Sequence, residues 1–576
     1  MAKSKIVVDP ITRIEGHLRI EAVVQDGVIT DAWSSATMWR GIEKILQGRD
    51  PRDAWYWTQR FCGVCTTVHS IASVRAVEDA VGMTVPLNAE LIRNLIIGIQ
   101  NVQDHVIHFY HLHALDWVDV VSALSADPGA TARLAQSASG WPKSSETYFK
   151  GVQDRVKAFV GTGRLGPFAN AYWGHPAYKL PPEANLMGVA HYLEALDWQR
   201  EVIQVQAILG AKNPHPQSFL AGGMSVPVDP NAQNAINADK LAHLRDLLVR
   251  ANAFVEQVYV PDLLTVAPFY LDWAQWGGGV KNYLSFGDFP TREGQKWAEK
   301  SLWLQPGLVT GRDLANPAAP EPGRIREYVT HSWYRYGAGD AVALHPYQGE
   351  TEPHYTGPKP PYPDKTVSDA DPKYSWVKAP RYDDLPCEVG PLARAVVGYA
   401  QGHPEFQAAV ELVLGTLKVP AEALFSTLGR TAARGIDCLV LARKNLEWLD
   451  ALAENMGRGD LRIHDNARWE RSSWPAEAEG VGFHEAPRGM LSHWIRIRKG
   501  EIANYQAVVP STWNASPRDA AGVRGPYEEA LIGTPVADPE RPLEILRTIH
   551  SFDPCLACAV HVLDARGREV SRVKVL

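Results

Sequence analysis

Cysteine is scarce. The chain holds six in 576 residues, too few for the disulfide scaffold on which small secreted domains rely. A basic excess is missing too: 58 Lys and Arg stand against 65 Asp and Glu, a net charge of −7. That leaves no electrostatic footprint for nucleic acid or an anionic membrane surface. No stretch offers about 18 uninterrupted apolar residues, the length needed to span a bilayer. The opening MAKSKIVVDPITRIEGH lacks the apolar core of a signal peptide and enters a strand-like run almost at once. Export would therefore depend on something outside this chain. Repeats and low-complexity tracts are absent as well. What remains is ordinary globular composition, 45% hydrophobic and 21% charged, in a chain long enough to bury a large core.

Periodicity supplies the fold class. Residues 5–35 alternate as strands about an Asp26–Gly27 turn, a short-range hairpin signal. From 86 to 124 apolar residues recur at three- and four-residue steps, which predicts one long helix. Further helices are predicted near 183–212, 238–266, 391–417 and 420–456. Residues 341–375, rich in Pro, Gly and charge, read as a surface excursion. Past 460, HWIRIRKGEIANYQAVVP returns to strand alternation around Lys499–Gly500–Glu501. The expectation is an α+β fold, predominantly α: a large helical body with β hairpins from both ends of the sequence.

Four of the six cysteines form two C-x-x-C pairs. The first lies in RFCGVCTTVH, Arg60 to His69; the second lies in DPCLACAVH, Asp553 to His561. Such a pair sits on a tight turn, so both sulfurs reach one ion, and Gly63 frees the backbone of the first. Four soft thiolates favour zinc, iron–sulfur or nickel over magnesium or calcium. Zinc ribbons usually draw both pairs from within a few tens of residues; here the inner cysteines are Cys65 and Cys555. A structural zinc or a redox disulfide stays as the plain alternative. Because both ends carry a pair, the ends are expected to meet. Cys387 and Cys438 lack partners at ligand spacing and read as small buried hydrophobes.

These motifs resemble the paired nickel-binding signatures of [NiFe]-hydrogenase large subunits. The resemblance runs on through DPITRIEGHLRIE (9–21), WRGIEKILQGRDPRDA (39–54), DHVIHFYHLHALDWVD (104–119), ANAYWGHPAYKLPPE (169–183), EVGPLA (388–393), APRGMLSHW (486–494) and NYQAVVPSTWN (504–514). It therefore covers essentially the whole chain. GMLSHW, TIHSFDPC and ACAVHV are most similar to the membrane-associated uptake type, hydrogenase-2.

The resemblance implies a role for each motif residue. Cys62 and Cys555 would be terminal nickel ligands, with Cys65 and Cys558 bridging nickel to an iron that carries carbon monoxide and two cyanides. Glu15 would accept a proton from Cys555. Arg488 would hang over the open metal position, held by Asp104 and Asp553. Whether Glu15 or Arg488 takes the first proton stays open at this point, although arginine is a poor base. Pro487 and Ser511 would line the cyanide pocket, and His69 would donate to a bridging sulfur. Glu43, a backbone carbonyl near Ala507, and His561 would hold a separate magnesium or iron. The histidines 105, 108, 111 and 113 read as hydrogen-bonding residues rather than a metal site.

The same resemblance divides the chain into a single catalytic unit, 1–561, and a maturation extension, 562–576, cut after His561 by a dedicated endopeptidase once nickel-insertion proteins have acted. That extension speaks against the alternative of a non-catalytic hydrogen sensor. With no cysteines to spare for an iron–sulfur cluster, electrons would leave through a cluster-bearing small subunit and a membrane electron-transfer partner. A twin-arginine signal on that subunit would bring the pair to the periplasmic side of the cytoplasmic membrane, a cytoplasmic location being the alternative. The activity implied is reversible cleavage of H2 to protons and electrons.

Overall fold

The structure is a computed structural model and describes residues 3–163, 166–294, 296–356 and 372–559. Three strands open the chain: β1 (Lys3–Val8), β2 (Leu18–Gln25) and β3 (Val28–Ala36). They pair antiparallel in the order β1–β2–β3. Asp26 and Gly27 join β2 to β3 with φ of 54° and 78°, the left-handed pair that matches the twist of a hairpin. Leu18, Ile20, Ala22 and Val24 point from β2 into an apolar cluster. The opposite face buries Arg19 against Glu21 at 2.7 Å.

The body is helical, as the periodicity predicts. Its principal helices are α1 (Val68–Val81), α2 (Leu87–Ile107), α3 (Pro182–Gly210), α4 (Ala238–Phe254) and α5 (Thr427–Gly457). From Asn88 to Val106 every residue of α2 is buried, the mark of a helix enclosed on all sides. Gly98 lets α5 come close, since a Cβ there would lie 2.6 Å from the Asn445 side chain and 2.8 Å from Trp448.

Three boundaries differ from the predicted ones, each for a physical reason. The helix predicted over 86–124 ends as an α-helix at Ile107. It widens into a π-turn over His108–His113 and tightens into a 3-10 turn over Ala114–Asp116. Apolar spacing cannot register this change, because the widened turn is stabilised by partners remote in sequence. Residues 391–417 form two helices, Pro391–Ala400 and Pro404–Leu417, parted by Gly402 at φ 69° and by Pro404, which has no N–H to continue a helix. In 420–456 a 3-10 turn precedes Ser426, whose hydroxyl accepts from Gly429 N and starts α5 at Thr427. Part of the predicted excursion, residues 357–371, lies outside the described residues.

The C-terminal part contributes β4 (Glu477–Ala486), β5 (Gly489–Arg498) and β6 (Glu501–Val508), an antiparallel sheet in that order, then α6 (Leu543–Ser551). Helix α1 was not among the predicted helices. Its sequence VHSIASVRAVEDAV is rich in weak helix formers, and the sheet packed on it makes up the deficit. Contact is close where glycine permits: a Cβ on Gly480 would lie 2.3 Å from Ala76 O, and one on Gly482 2.0 Å from Ala72 O. Gly482→Ala is therefore expected to destabilise the chain by about 1–3 kcal/mol through overpacking, seen as a lower thermal midpoint. An unchanged midpoint would mean that strand and helix separate freely.

Helix α6 closes the fold. Ile545, Ile549 and Phe552 pack into the same cluster as Leu18, Ile20 and Ile29, so the two ends of the sequence share one core. The expectation that they meet holds.

Candidate metal centre

Cys62 and Cys65 flank a turn between the 3-10 helix Gln59–Phe61 and α1. Cys555 follows α6 on the turn that starts with Asp553 at φ 56°. The three sulfurs lie within 4.8 Å of one another, Cys62 Sγ and Cys555 Sγ being 3.5 Å apart. All three side chains are buried and none is in a disulfide. Backbone N–H groups of Val64 and Cys65 donate to Cys62 Sγ at 3.3 and 3.4 Å. A buried cluster of sulfurs served by N–H donors suits thiolates, and buried thiolates need a cation. A soft metal fits this donor set. The Cys558 backbone lies in the short helix Leu556–Ala559; its side chain, and all of His561, lie outside the described residues.

Glu15 is built into the same turn. Its backbone forms a parallel bridge with Cys555: Leu556 N donates to Glu15 O at 2.7 Å, and Glu15 N to Pro554 O at 3.4 Å. The approach requires Gly16, at φ 82°, where a Cβ would sit 2.3 Å from Ala557 N. Burial pushes the Glu15 carboxyl up to about 7, helped by the charge of Cys62 and opposed by Arg488.

Arg488 leaves the β4–β5 turn and reaches two carboxylates, Asp104 Oδ2 at 3.3 Å and Asp553 Oδ1 at 3.0 Å. Burial penalises its charge, but Asp553, Cys555 and Asp104 outweigh that and hold its pKa well above the ordinary arginine value. Asp104 also accepts from Gln100 Nε2 at 2.7 Å. Burial raises it to about 7, with Arg488 opposing and Asp553 and Cys62 reinforcing. Asp104 is thus not the solvated helical acid that sequence alone would allow. A guanidinium so strongly protonated is no base, and of the two candidates Glu15 has the matching chemistry.

Around them a small cavity is lined by Cys65, His69, Pro487, Arg488, Val509, Ser511 and Cys555, among others. Ser511 Oγ accepts from Cys555 N at 3.0 Å, which leaves its own proton to donate. His69 Nδ1 faces His493 Nε2 at 3.0 Å, and His493 Nδ1 faces the Tyr505 hydroxyl at 2.6 Å. Burial pushes His69 down to about 3, so the ring is neutral. About one strand away, Glu43 Oε1 accepts from Ala507 N at 2.9 Å, and Glu43 Oε2 accepts from the Thr351 hydroxyl. Burial raises the neighbouring Glu327 to about 7 against the charge of Lys378.

Sequence reasoning missed Arg434. Its Nη1 reaches Pro487 O at 3.2 Å, His105 Nδ1 at 3.1 Å and Asp553 Oδ2 at 3.3 Å. Arg434 and Arg488 therefore share Asp553, and His105 Nε2 passes the support on to Asp437 at 2.6 Å. The signal was present: Arg430 and Arg434 stand four apart on α5, a helix whose neighbours are apolar. A buried arginine demands a partner. His105, His108, His111 and His113 each have separate partners, so the four do not converge on one ion. Burial pushes the Cys387 thiol to about 12 and Cys438 well above its ordinary value, which keeps both as inert thiols.

Comparison with known proteins agrees with this geometry. The profile of the nickel-dependent hydrogenase family matches residues 40–561. The chain is 52% identical to the uptake hydrogenase large subunit of Bradyrhizobium diazoefficiens, covering 99% of this chain and 97% of that one. It is 48% identical to the hydrogenase-1 large chain of Escherichia coli K12, over 100% and 98% of the two chains. Against the hydrogenase-2 large chain of the same strain it is 46% identical, over 99% and 100%. Among solved structures, the [NiFeSe]-hydrogenases of Dm. baculatum and of D. vulgaris Hildenborough each superpose with a TM-score of 0.74 at 35% identity, covering 97% of this chain and 100% of theirs. Buried sulfurs from both ends of the sequence, the paired motifs and full-length similarity all agree: the chain belongs to the nickel-dependent hydrogenase family, as a catalytic large subunit that oxidises H2.

Proposed function

We propose that residues 1–561 form one catalytic unit in which Cys62, Cys65, Cys555 and Cys558 hold nickel and an iron bearing carbon monoxide and two cyanides. The observation that carries this reading is the convergence of three buried sulfurs within 4.8 Å, with Glu15 bridged to Cys555. When bound, the metal pair supplies the centre at which H2 is polarised and split. The protein's own part is proton handling and orientation. Glu15, near 7, takes the proton from Cys555 Sγ; a carboxyl tuned to the working pH is an efficient general base. Arg488 stays protonated and orients the substrate. Pro487 and Ser511, which line the cavity, would hold the cyanides, with the Ser511 hydroxyl as donor. Neutral His69 would donate to a cysteine sulfur of the centre, and Asp104 and Asp553 fix Arg488.

A second cation, magnesium or iron, would sit between Glu43, the Ala507 backbone and His561. The adjacency of Glu43 and Ala507 favours it, as do the oxygen donors that suit a hard ion. Hydrogenase large subunits pair with a small subunit. Here that partner would carry the iron–sulfur clusters, pass electrons to a membrane acceptor, and take the pair to the periplasmic side by its twin-arginine signal. Among the described residues no helix is long and apolar enough to cross a membrane. Residues 562–576 would be removed after His561 once nickel is in place; the family profile ends at 561.

Metal content and intact mass of the chain co-expressed with its small subunit and maturation proteins test this. One nickel per chain, with loss of the mass of residues 562–576, is the expected result. Zinc without nickel in a cleaved sample would overturn it.

A further inference from the structure

Two loops bring the proton-transfer pair together, and neither is regular structure. Glu15 lies between β1 and β2, Cys555 beyond α6. Glu15 meets the Cys555 loop through two backbone hydrogen bonds, one of them long at 3.4 Å, and its carboxylate accepts from Ala557 N. Both loops are tied to a third element, the π-turn and 3-10 turn over 108–116. Arg13, at φ 55°, donates through Nη1 to Leu112 O and through Nη2 to Asp116 Oδ1. His550 Nδ1 faces Asp116 Oδ2 at 2.6 Å, and its Nε2 faces Thr12 O at 2.8 Å. His108 Nε2 donates to His550 O at 2.6 Å, and Asp553 N to the same oxygen at 2.9 Å.

His113, Asp116 and His550 gather as a metal site would, with ligand atoms within 4.8 Å. The hydrogen bonds argue otherwise. Trp117 Nε1 donates to His113 Nε2 at 3.0 Å, so the ring proton sits on Nδ1 and points at Asp116 Oδ2, 3.1 Å away. A carboxylate oxygen can only accept, so the His550 nitrogen that faces Asp116, Nδ1, also carries its proton towards it. No nitrogen lone pair is left facing the carboxylate, and the Arg13 guanidinium repels a cation. Burial would raise the Asp116 carboxyl, yet Arg13 and His550 outweigh it and hold it well below the usual carboxylate range. The carboxylate is a joint for three donors.

We propose that Arg13, Asp116 and His550 are positioning residues that set the distance between Glu15 and Cys555. One residue separates Arg13 from Glu15, and four separate His550 from Cys555, so displacement at the joint passes directly to the pair. This also explains why the helix departs from α geometry here: the wider π-turn, common at functional sites, presents His108, Leu112 O, His113 and Asp116 to the same two loops. The proposal rests on Glu15 as proton acceptor.

The test uses the nickel-loaded complex with its small subunit and the variants Arg13→Met, Arg13→Lys and His550→Gln, with Glu15→Gln as reference. Two quantities are read: the solvent deuterium isotope effect on H2-dependent dye reduction, and amide hydrogen exchange in segments 9–17 and 553–557. Arg13→Met and His550→Gln are expected to lower turnover about 10- to 100-fold, as small misplacements of reacting groups do. The isotope effect should grow, and the amides of Glu15 and Leu556 should exchange faster. Arg13→Lys keeps the charge and is expected to restore both quantities. An unchanged isotope effect with parent-like exchange would overturn the proposal, as would turnover that falls only in step with nickel content. If Arg13→Met does not load nickel, His550→Gln against Arg13→Lys decides by the same criteria. Parent-like turnover in Glu15→Gln would overturn the role of Glu15 itself; slow exchange in the joint variants would overturn the joint with that role intact.

Discussion

Glu15→Gln is expected to slow hydrogen oxidation about 10²–10⁴-fold at neutral pH, the usual loss when a positioned general base is removed, while nickel content stays the same. Glutamine keeps the shape and can still accept from the backbone, but it cannot take the proton. The pH profile makes the test sharper. The carboxyl is raised to about 7, chiefly by burial, so as a base it gains strength as pH climbs through 7 and is lost as pH falls below. Oxidation in the parent should therefore rise along a one-proton limb centred near 7. In the variant that limb should vanish. The reverse reaction, which needs the protonated carboxyl, should show the opposite slope. A variant that retains both rate and limb would remove Glu15 from the mechanism.

Arg488→Leu is expected to cost about 3–5 kcal/mol of stability, because it strips the cation from a buried pair and leaves the carboxylates behind. Arg488 faces Asp104 at 3.3 Å and Asp553 at 3.0 Å, and it is the largest influence holding the Asp104 carboxyl down. Without it Asp104 climbs further above 7 and enters the fold neutral. Arg488→Lys separates stability from orientation. An ammonium keeps the charge but cannot fork to two acids on either side as a planar guanidinium does. The lysine variant should therefore keep most of the thermal midpoint and still lose turnover. Equal midpoints for leucine and lysine would refute the electrostatic account.

Much of the site was legible because its chemistry is compressed into short runs. The two C-x-x-C pairs announce themselves by residue type and spacing, Glu15 in RIEGH and Arg488 in APRG only through the resemblance of those motifs, and the shared core of β2 and α6 bears out the meeting of the ends. What stayed illegible depends on partners far away in sequence. Arg434 can be read as a charge on an otherwise apolar helix, but nothing near it in sequence names Asp553 and Pro487 O as its partners. The π-turn at His108–His113 keeps an apolar rhythm and departs from it only in geometry. Helix α1 has a sequence that argues against it and a sheet, pressed close at Gly480 and Gly482, that overrides the argument. Periodicity reports local preference, and these features are tertiary.

The 3.5 Å contact between Cys62 and Cys555 spans 493 residues of chain, and that separation has a meaning in time. At about 5–20 residues per second, Cys555 leaves the ribosome roughly 25–100 s after Cys62. Through that interval the first pair is half a ligand set on an open turn, and two thiolates already suffice to attract zinc, which binds sulfur readily and needs no partner metal. The half-formed site cannot choose nickel by affinity, since the residues that would confer the choice do not yet exist. Selection must come from timing: something has to shield Cys62 and Cys65 until synthesis ends, and metal delivery has to wait for the last strand of the polypeptide to arrive.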